Sequence, residues 1–153
     1  MTIAHETFTL EKIITAAPAN VFRAWAETDL KRAWFVDSDG PEWATQAYSL
    51  DFRVGGQETG AFELTEGPGA GVHENATTFL DIEPDARIVF AYTMAMNGRR
   101  HSASLATVTL EPVEAGCRLT YTEQGAFFGG SDGAAMRKTG WDHLLGALAT
   151  TLA

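Results

Sequence analysis

The spacing of apolar residues changes along the chain, and each change predicts a change of secondary structure. Phe8, Leu10 and Ile14 lie on one side of an alternating segment, which is typical of a β-strand. From Pro18 the apolar residues recur at i, i+3, i+4 and i+7, the spacing of a buried helical stripe. Thr28-Asp29 is predicted to cap a second short helix, which carries Leu30, Ala33, Trp34 and Phe35.

Between residues 43 and 126, short apolar runs alternate with turns rich in glycine and proline, which predicts an antiparallel meander. Arg87–Met96 is the most apolar run, and Asn97-Gly98 directly after it is a strong signal for a two-residue hairpin turn. The predicted strands of this region cover residues 48–52, 58–64, 72–82, 87–96, 102–110 and 118–125.

The last segment predicts one long helix with Ser131 or Asp132 as its N-cap. Its apolar residues share one face at helical spacing: Trp141, Leu144, Leu145, Leu148 and Leu152. The order of elements predicts an α+β fold in a single domain over residues 1–153, with two short helices after the first strand. We expect a curved antiparallel sheet of about six or seven strands around the C-terminal helix, and such a wrap leaves a gap suited to a ligand.

The composition narrows the classes of partner. Eleven Lys and Arg against 20 Asp and Glu give a net charge of −9, so we expect neither a nucleic-acid nor a membrane partner. The single cysteine, Cys117, can form no internal disulfide, and the first residues show no signal peptide; both features fit a cytoplasmic protein. The four histidines lack metal-ligand spacing and no phosphate-loop motif is present, so we expect no metal and no cofactor.

Strand parity singles out Glu123, which shares its side of a predicted strand with Leu119 and Tyr121. An inward carboxylate is costly unless it is paired or hydrogen-bonded, and such a cost often marks a functional site. Glu123 is therefore a candidate general acid or base, or a polar anchor for a ligand. Two alternatives stay open: a bulge near Gly125 turns it to the rim, or it pairs with a structural arginine such as Arg53.

Parity also predicts which side chains line the gap. The large side chains of residues 87–96 share one side of their strand, which we expect to face the gap. The aromatic pair Phe127-Phe128, before the last helix, either covers the entrance of the gap or packs in the core. The same test points His101 outward, on the side of Leu105, unless a bulge intervenes. The predicted ligand-contacting residues are Phe52, Phe62, Tyr92, Met94, Tyr121, Glu123, Phe128 and Trp141. Ordinary core packing is the alternative for the apolar members.

Four motifs of this chain resemble one protein family. They are the segment Ile14–Trp25 followed by Trp34-Phe35, the turn Asp51-Phe52-Arg53-Val54-Gly55-Gly56, the hairpin Ile82-x-Pro84-x-x-Arg87, and the closing Gly140-Trp141. In this order they resemble START-like (SRPBCC) proteins, in the branch named after the activator of the heat-shock-protein-90 ATPase. The resemblance implies a helix-grip fold with a cavity between the sheet and the C-terminal helix. Members include ligand carriers, polyketide cyclases, resistance proteins and co-chaperones, so the resemblance implies no single function.

Three functions are compatible with this sequence. We favour a binding protein for a small hydrophobic or aromatic molecule, with Glu123 as its polar contact. The second is a cyclase- or aromatase-like enzyme in which Glu123, with Tyr92 or Tyr121, moves protons. The third is a co-chaperone-like interaction module. It predicts a solid interior and an exposed apolar patch on the outer face of the sheet, around Val89 and Ala91. Self-association through the same face would give a homodimer.

The chaperone partner is the weakest of these expectations. The eukaryotic co-chaperone implied by the resemblance carries an additional N-terminal domain, and 153 residues leave no room for one. A small molecule bound between sheet and helix needs no such domain, so the binding function is the one we expect.

Overall fold

A computed structural model describes residues 2–38 and 40–153 of the chain. The strands, numbered along the chain, are β1 (Ala4–Ile14), β2 (Trp43–Leu50), β3 (Gln57–Leu64), β4 (Gly71–Glu83), β5 (Arg87–Met96), β6 (Arg99–Val113) and β7 (Gly116–Phe127). The helices are α1 (Pro18–Ala26), α2 (Thr28–Phe35) and α3 (Gly133–Leu152). This order confirms the predicted α+β helix-grip fold, with element ends shifted by a few residues.

Within these residues, seven strands form one curved antiparallel sheet in the order β1-β7-β6-β5-β4-β3-β2. Each strand from β2 to β6 pairs with the next strand in sequence, because short turns join them. Between β5 and β6, Asn97 and Gly98 both have positive φ, 51° and 80°, as the predicted two-residue hairpin turn requires. Strand β1 pairs with β7, so β1 and β2 are the edges of the sheet.

The helices lie against one another and close the core above the sheet. Pro18 begins α1, where a missing N–H breaks no helical hydrogen bond. Trp25 of α1 stacks on Trp141 of α3, with ring centroids 6.2 Å apart and ring planes at 9°. Trp34 of α2 packs edge-on against Trp25 at 4.8 Å, which joins all three helices through their aromatic rings. None of the helices in the described part of the chain is long and apolar enough to cross a membrane.

Helix α3 has Asp132 as its N-cap residue, one of the two predicted positions, but the side chain makes no capping hydrogen bond. It accepts two hydrogen bonds from Arg137 instead, at 2.9 Å and 2.8 Å. The Gly133 N–H donates to Ser131 Oγ at 3.1 Å. Asp132 lacks the predicted role because the charged guanidinium is the stronger donor for its carboxylate.

Candidate functional site

A cavity of about 630 Å³ lies between the sheet and α3. Its floor is formed by β3, β4 and β5, and its roof by residues 136–144 of α3 together with Phe35 at the end of α2. Residues 68–69 and 130–132 lie at its rim, next to Met136, which is 68% exposed. The cavity therefore has an opening to solvent beside the first turn of α3.

Most of the cavity wall is apolar. Alternate residues of β5 face it, because successive side chains of a strand point to opposite faces. On α3, Trp141 and Leu144 lie three residues apart and so share the face turned to the sheet. The large apolar side chains on the wall include Phe62, Phe90, Met94, Met96, Trp141 and Leu144. Two unbranched methionines among them give the wall an adaptable part.

Half of the predicted contact residues lie on this wall, namely Phe62, Tyr92, Met94 and Trp141. Phe52, Tyr121, Glu123 and Phe128 do not. Phe52 follows β2 and packs against aromatic rings of the core. Tyr121 is covered by Trp141, whose ring stacks on it at 4.3 Å. Phe128 is half-buried beyond the end of β7. Parity does not separate wall from core, because both places favour large apolar side chains.

Glu123 points inward, as parity predicts, and its exposed fraction is 0%. Its Oε1 accepts hydrogen bonds from Tyr92 at 2.6 Å and Tyr121 at 2.7 Å. Its Oε2 accepts from Ser104 at 2.7 Å and from Arg137 Nη1 at 3.2 Å. Burial raises the pKa of both Tyr92 and Tyr121, so both phenols stay protonated and remain donors. The cost of burying this carboxylate is offset by four donors and one positive charge.

The positive partner of Glu123 is Arg137, and not Arg53, which pairs with a carboxylate on the surface. Arg137 is 6% exposed and lines the cavity. Burial alone would lower its pKa, but the nearby tyrosine and carboxylates raise it, so the guanidinium stays charged. Arg137 lies four residues before Trp141, on the apolar stripe of α3, and this position is the signal that parity reasoning missed.

A second buried ion pair lies on the β3 side of the cavity and was not predicted. Lys31 of α2, 1% exposed, places its Nζ 3.0 Å from Oε2 of Glu58, which lines the cavity. Tyr48 also donates to Glu58. Burial lowers the pKa of Lys31, and the carboxylate opposes that shift. Glu58 shares its strand parity with Phe62, which is the sequence signal for its inward side chain.

His101 lies on the cavity wall and is largely buried, so the prediction that it points outward is wrong. The pairing of β5 with β6 skips His101, because Arg100 and Ser102 pair with consecutive residues of β5. Such a bulge reverses the side to which the following side chains point. Burial is the main cause that lowers the pKa of His101, which favours the neutral imidazole.

Two buried polar residues of β4, Asn75 and Thr77, lie on the floor of the cavity. Asn75 Nδ2 donates to Thr77 Oγ1 at 3.2 Å, whereas Asn75 Oδ1 has no hydrogen-bond partner. Their parity with the core residue Phe79 is the signal that could have found them. No group of three or more His, Cys, Asp or Glu side chains within residues 2–38 and 40–153 could hold a metal ion. The site is thus an apolar chamber with a few placed polar groups.

Comparison with known families matches residues 15–153 to the family described as Activator of Hsp90 ATPase homolog 1-like protein. No curated protein matches the chain. A solved structure of a Rhizobium loti protein is 46% identical, with 99% of this chain and 100% of that chain covered and a TM-score of 0.87. A Rhizobium leguminosarum protein is 35% identical, with 99% and 96% covered and a TM-score of 0.87.

A more distant solved structure shows the same fold. It is an AHSA1-like protein from Aeromonas hydrophila, 19% identical, with 95% of this chain and 91% of that chain covered and a TM-score of 0.69. These neighbours have the START-like (SRPBCC) architecture, in agreement with the resemblance carried by the four sequence motifs.

Proposed function

The chain belongs to the Activator of Hsp90 ATPase homolog 1-like family, and from this premise we propose that it binds a small, largely apolar molecule between its sheet and α3. The observation that carries the proposal is the cavity of about 630 Å³ with its mainly apolar wall. Its volume lies within the range of roughly 300–1,000 Å³ that is usual for small-molecule sites. Burial of apolar ligand surface there would stabilise a complex by about 25 cal/mol per Å².

The buried polar groups support binding by fixing the shape of the chamber before a ligand enters. Arg137 ties α3 to β5, β6 and β7, and Lys31 ties α2 to β3. Because both charges are already compensated, the helices need no rearrangement to hold the cavity open. A preformed site avoids part of the ordering cost of binding.

The enzyme alternative that relies on Glu123 receives less support. Glu123 does not line the cavity. Its carboxylate makes four hydrogen bonds, all of them to groups of the protein. A general acid or base must come within hydrogen-bond reach of the reacting atom, directly or through one water. In our proposal Glu123 instead anchors Tyr92 and Arg137, which do line the cavity.

The interaction-module alternative predicts a solid interior, and a chamber of about 630 Å³ favours a ligand over that alternative. A chaperone ATPase partner and a homodimer both stay as predictions. Each concerns the outer surface, so neither conflicts with a ligand held inside.

The proposal is tested by filling the cavity from α3. Gly140 lines the cavity, and a Cβ added there meets no heavy atom within 4 Å, so Gly140→Leu should fold and project into the chamber. Gly146 has equally free space but is not on the wall, which makes Gly146→Leu the matched control. Native mass spectrometry of the three proteins, purified from the source organism, reads out bound small molecules.

We expect a co-purifying apolar molecule with the unsubstituted protein and with Gly146→Leu, and its loss with Gly140→Leu. Equal retention by both variants would show that the molecule binds elsewhere and would overturn the proposal. The absence of any bound molecule, together with no binding of added aromatic probes, would also overturn it.

A further inference from the structure

On the basis of the proposed binding function, we infer that the cavity selects a neutral or cationic aromatic molecule bearing a hydrogen-bond donor, and disfavours a free carboxylate. The inference rests on three features of the wall. The arginine on it is already fully hydrogen-bonded to the protein, a buried acceptor on it lacks a donor, and the rings around it suit a flat apolar body.

The first feature is that the positive side chains near the cavity, Arg137 and Lys31, are already paired within the protein. Arg137 lines the cavity, and its guanidinium has five N–H donors. The protein already uses all five, for hydrogen bonds to Asp132 (two), Tyr92, Glu123 and Ser102. A ligand carboxylate could reach this cation only by breaking one of these bonds, which leaves a buried carboxylate or hydroxyl without its donor.

Lys31 is equally occupied. Its Nζ lies 3.2 Å and 3.0 Å from the two carboxylate oxygens of Glu58, and Lys31 itself is not on the cavity wall. The residue that reaches the cavity from this pair is the acid, Glu58. The other acid on the wall, Asp132, is held by Arg137 at the rim. An anionic ligand would therefore meet two carboxylates on the described wall, and neither Arg137 nor Lys31 is free to pair with it.

The second feature is the carbonyl oxygen of the Asn75 side chain. Asn75 is 6% exposed, and its Oδ1 has no hydrogen-bond partner although its Nδ2 is bonded to Thr77. A Cβ built on the facing Gly60 would lie 2.6 Å from this oxygen and 2.5 Å from Cε2 of Phe62. Phe62 and Asn75 both line the cavity, so Oδ1 lies on the cavity side of the sheet, packed between Gly60 and the edge of the Phe62 ring.

A buried acceptor without a donor is costly, and a ligand donor would remove that cost. In this structure neither neighbouring polar group donates to Oδ1. His73 Nε2 already donates to Gly69 O at 2.7 Å, and Thr77 accepts from the amide of Asn75 itself. The position thus fits a hydroxyl, an amide N–H or an amine of the ligand.

The third feature is the shape and chemistry of the walls around this acceptor. Rings of Phe35, Phe62, Phe90 and Trp141 face the chamber from α2, the sheet and α3. Aromatic faces stack well on flat rings and also attract cations, whereas they repel anions. A flat aromatic body with one donor group satisfies the walls and Asn75 together.

The inference is tested with four naphthalene probes substituted at the same ring position: naphthol, methoxynaphthalene, naphthylmethylamine and naphthoate. They share one apolar body and differ in donor and charge. Dissociation constants are measured at pH 7 by isothermal titration calorimetry. We expect naphthol to bind about fivefold tighter than methoxynaphthalene, which lacks the donor, and naphthoate to bind at least about tenfold more weakly than naphthol.

Three variants locate the effect. Asn75→Leu removes the acceptor and should bring naphthol and methoxynaphthalene to equal affinity. Asn75→Asp keeps an acceptor and adds a negative charge, so it should raise the preference for naphthylmethylamine. Glu74→Gln changes the exposed neighbour on the opposite face of β4 and should leave all four constants unchanged. Circular dichroism checks that each variant is folded.

The comparison of probes on the unsubstituted protein decides the inference even if a variant does not fold. Equal binding of naphthol and methoxynaphthalene, or tightest binding of naphthoate, would overturn the ligand class and leave the cavity-binding function standing. If none of the four probes binds, the inference fails, whereas the binding function is then decided by whether a molecule co-purifies with the protein.

Discussion

A carboxylate without solvent contact is stable only when its hydrogen bonds are satisfied and its charge is balanced. Glu123 meets both conditions through one residue of a different element, Arg137, and through two phenols and a hydroxyl. The same guanidinium holds Asp132, so one cation compensates two acids. At this scale the site is a closed network of hydrogen bonds that includes two residues of the cavity wall, Tyr92 and Arg137.

Removing the cation should be far more costly than removing the whole pair. We expect Arg137→Met to lower the free energy of unfolding by about 3–5 kcal/mol, because Glu123 stays buried without a counter-charge. The double variant Arg137→Met with Glu123→Gln should recover part of this loss. Urea unfolding monitored by tryptophan fluorescence measures both. Arg53→Met, at an exposed ion pair, is the control and should change stability little.

If the double variant is no more stable than Arg137→Met alone, the two side chains are not energetically coupled in the way their 3.2 Å contact indicates. The result would point to loss of packing by the arginine stem as the main effect.

His101 should make stability depend on pH in a narrow window. Burial lowers its folded-state pKa, so between that pKa and the unfolded value of about 6.5 the unfolded chain binds the proton more readily. The stability that depends on neutral His101 is therefore fully present above about pH 6.5, and it is lost as the pH falls through the lowered pKa. Urea unfolding at pH 7.5 and pH 5 should show a larger loss for the unsubstituted protein than for His101→Gln.

His5→Gln, at an exposed position of β1, is the matched control and should behave like the unsubstituted protein. An identical loss in His101→Gln would assign the acid sensitivity to other groups. Asp132 does not contribute in this window, because its pKa is lowered, and the stability that depends on its charge is lost only at more acidic pH.

At the scale of elements, hydrogen bonds hold the N-terminal part of α3 to the sheet, whereas the cavity separates the middle of α3 from the sheet. Arg137 binds β5, β6 and β7, whereas Gly140 one turn later presents no side chain to the cavity. A glycine inside a helix costs free energy because it loses more conformational freedom on folding than alanine. Helix α3 contains two such positions, Gly140 and Gly146, and each has free space for a Cβ.

We expect Gly146→Ala and Gly140→Ala each to raise the free energy of unfolding by roughly 0.5–1 kcal/mol. Thermal and urea unfolding measure the gain. The contrasting variant is Gly98→Ala, because Gly98 has a φ of 80° in the β5–β6 turn and a Cβ there is strained whatever the space. A loss of stability in Gly140→Ala would show that helix α3 approaches the sheet more closely than the cavity indicates.

At the scale of the whole molecule, the cavity lies between two buried ion pairs that join different helices to the sheet. Lys31–Glu58 joins α2 to β3, and Arg137–Glu123 joins α3 to β7. The aromatic stack of Trp25 on Trp141 links the helices to each other. Since each of these contacts is satisfied internally, the chamber between them does not depend on a ligand for its shape, and its apolar wall remains available for binding.

The local pattern of the chain determined the elements and their order. Periods of two and of 3.6 residues are properties of neighbouring positions, so the strands, the helices and the Asn97-Gly98 turn follow from the sequence. The same rule turns Glu123 inward. Four motifs in order were enough to identify the family, because each reports a turn or a helix face that the fold requires.

Only the tertiary structure decided which charged side chains pair with each other and which side chains line the cavity. Arg137 meets Glu123, and Lys31 meets Glu58, because the sheet curves and brings distant elements together, which no local period records. The bulge at His101 reversed a prediction, since one extra residue moves a side chain to the other face. Whether a large apolar side chain lines the cavity or fills the core depends on the distance between sheet and helix. That distance is set by the packing of the whole molecule, and a strand's own sequence carries no measure of it.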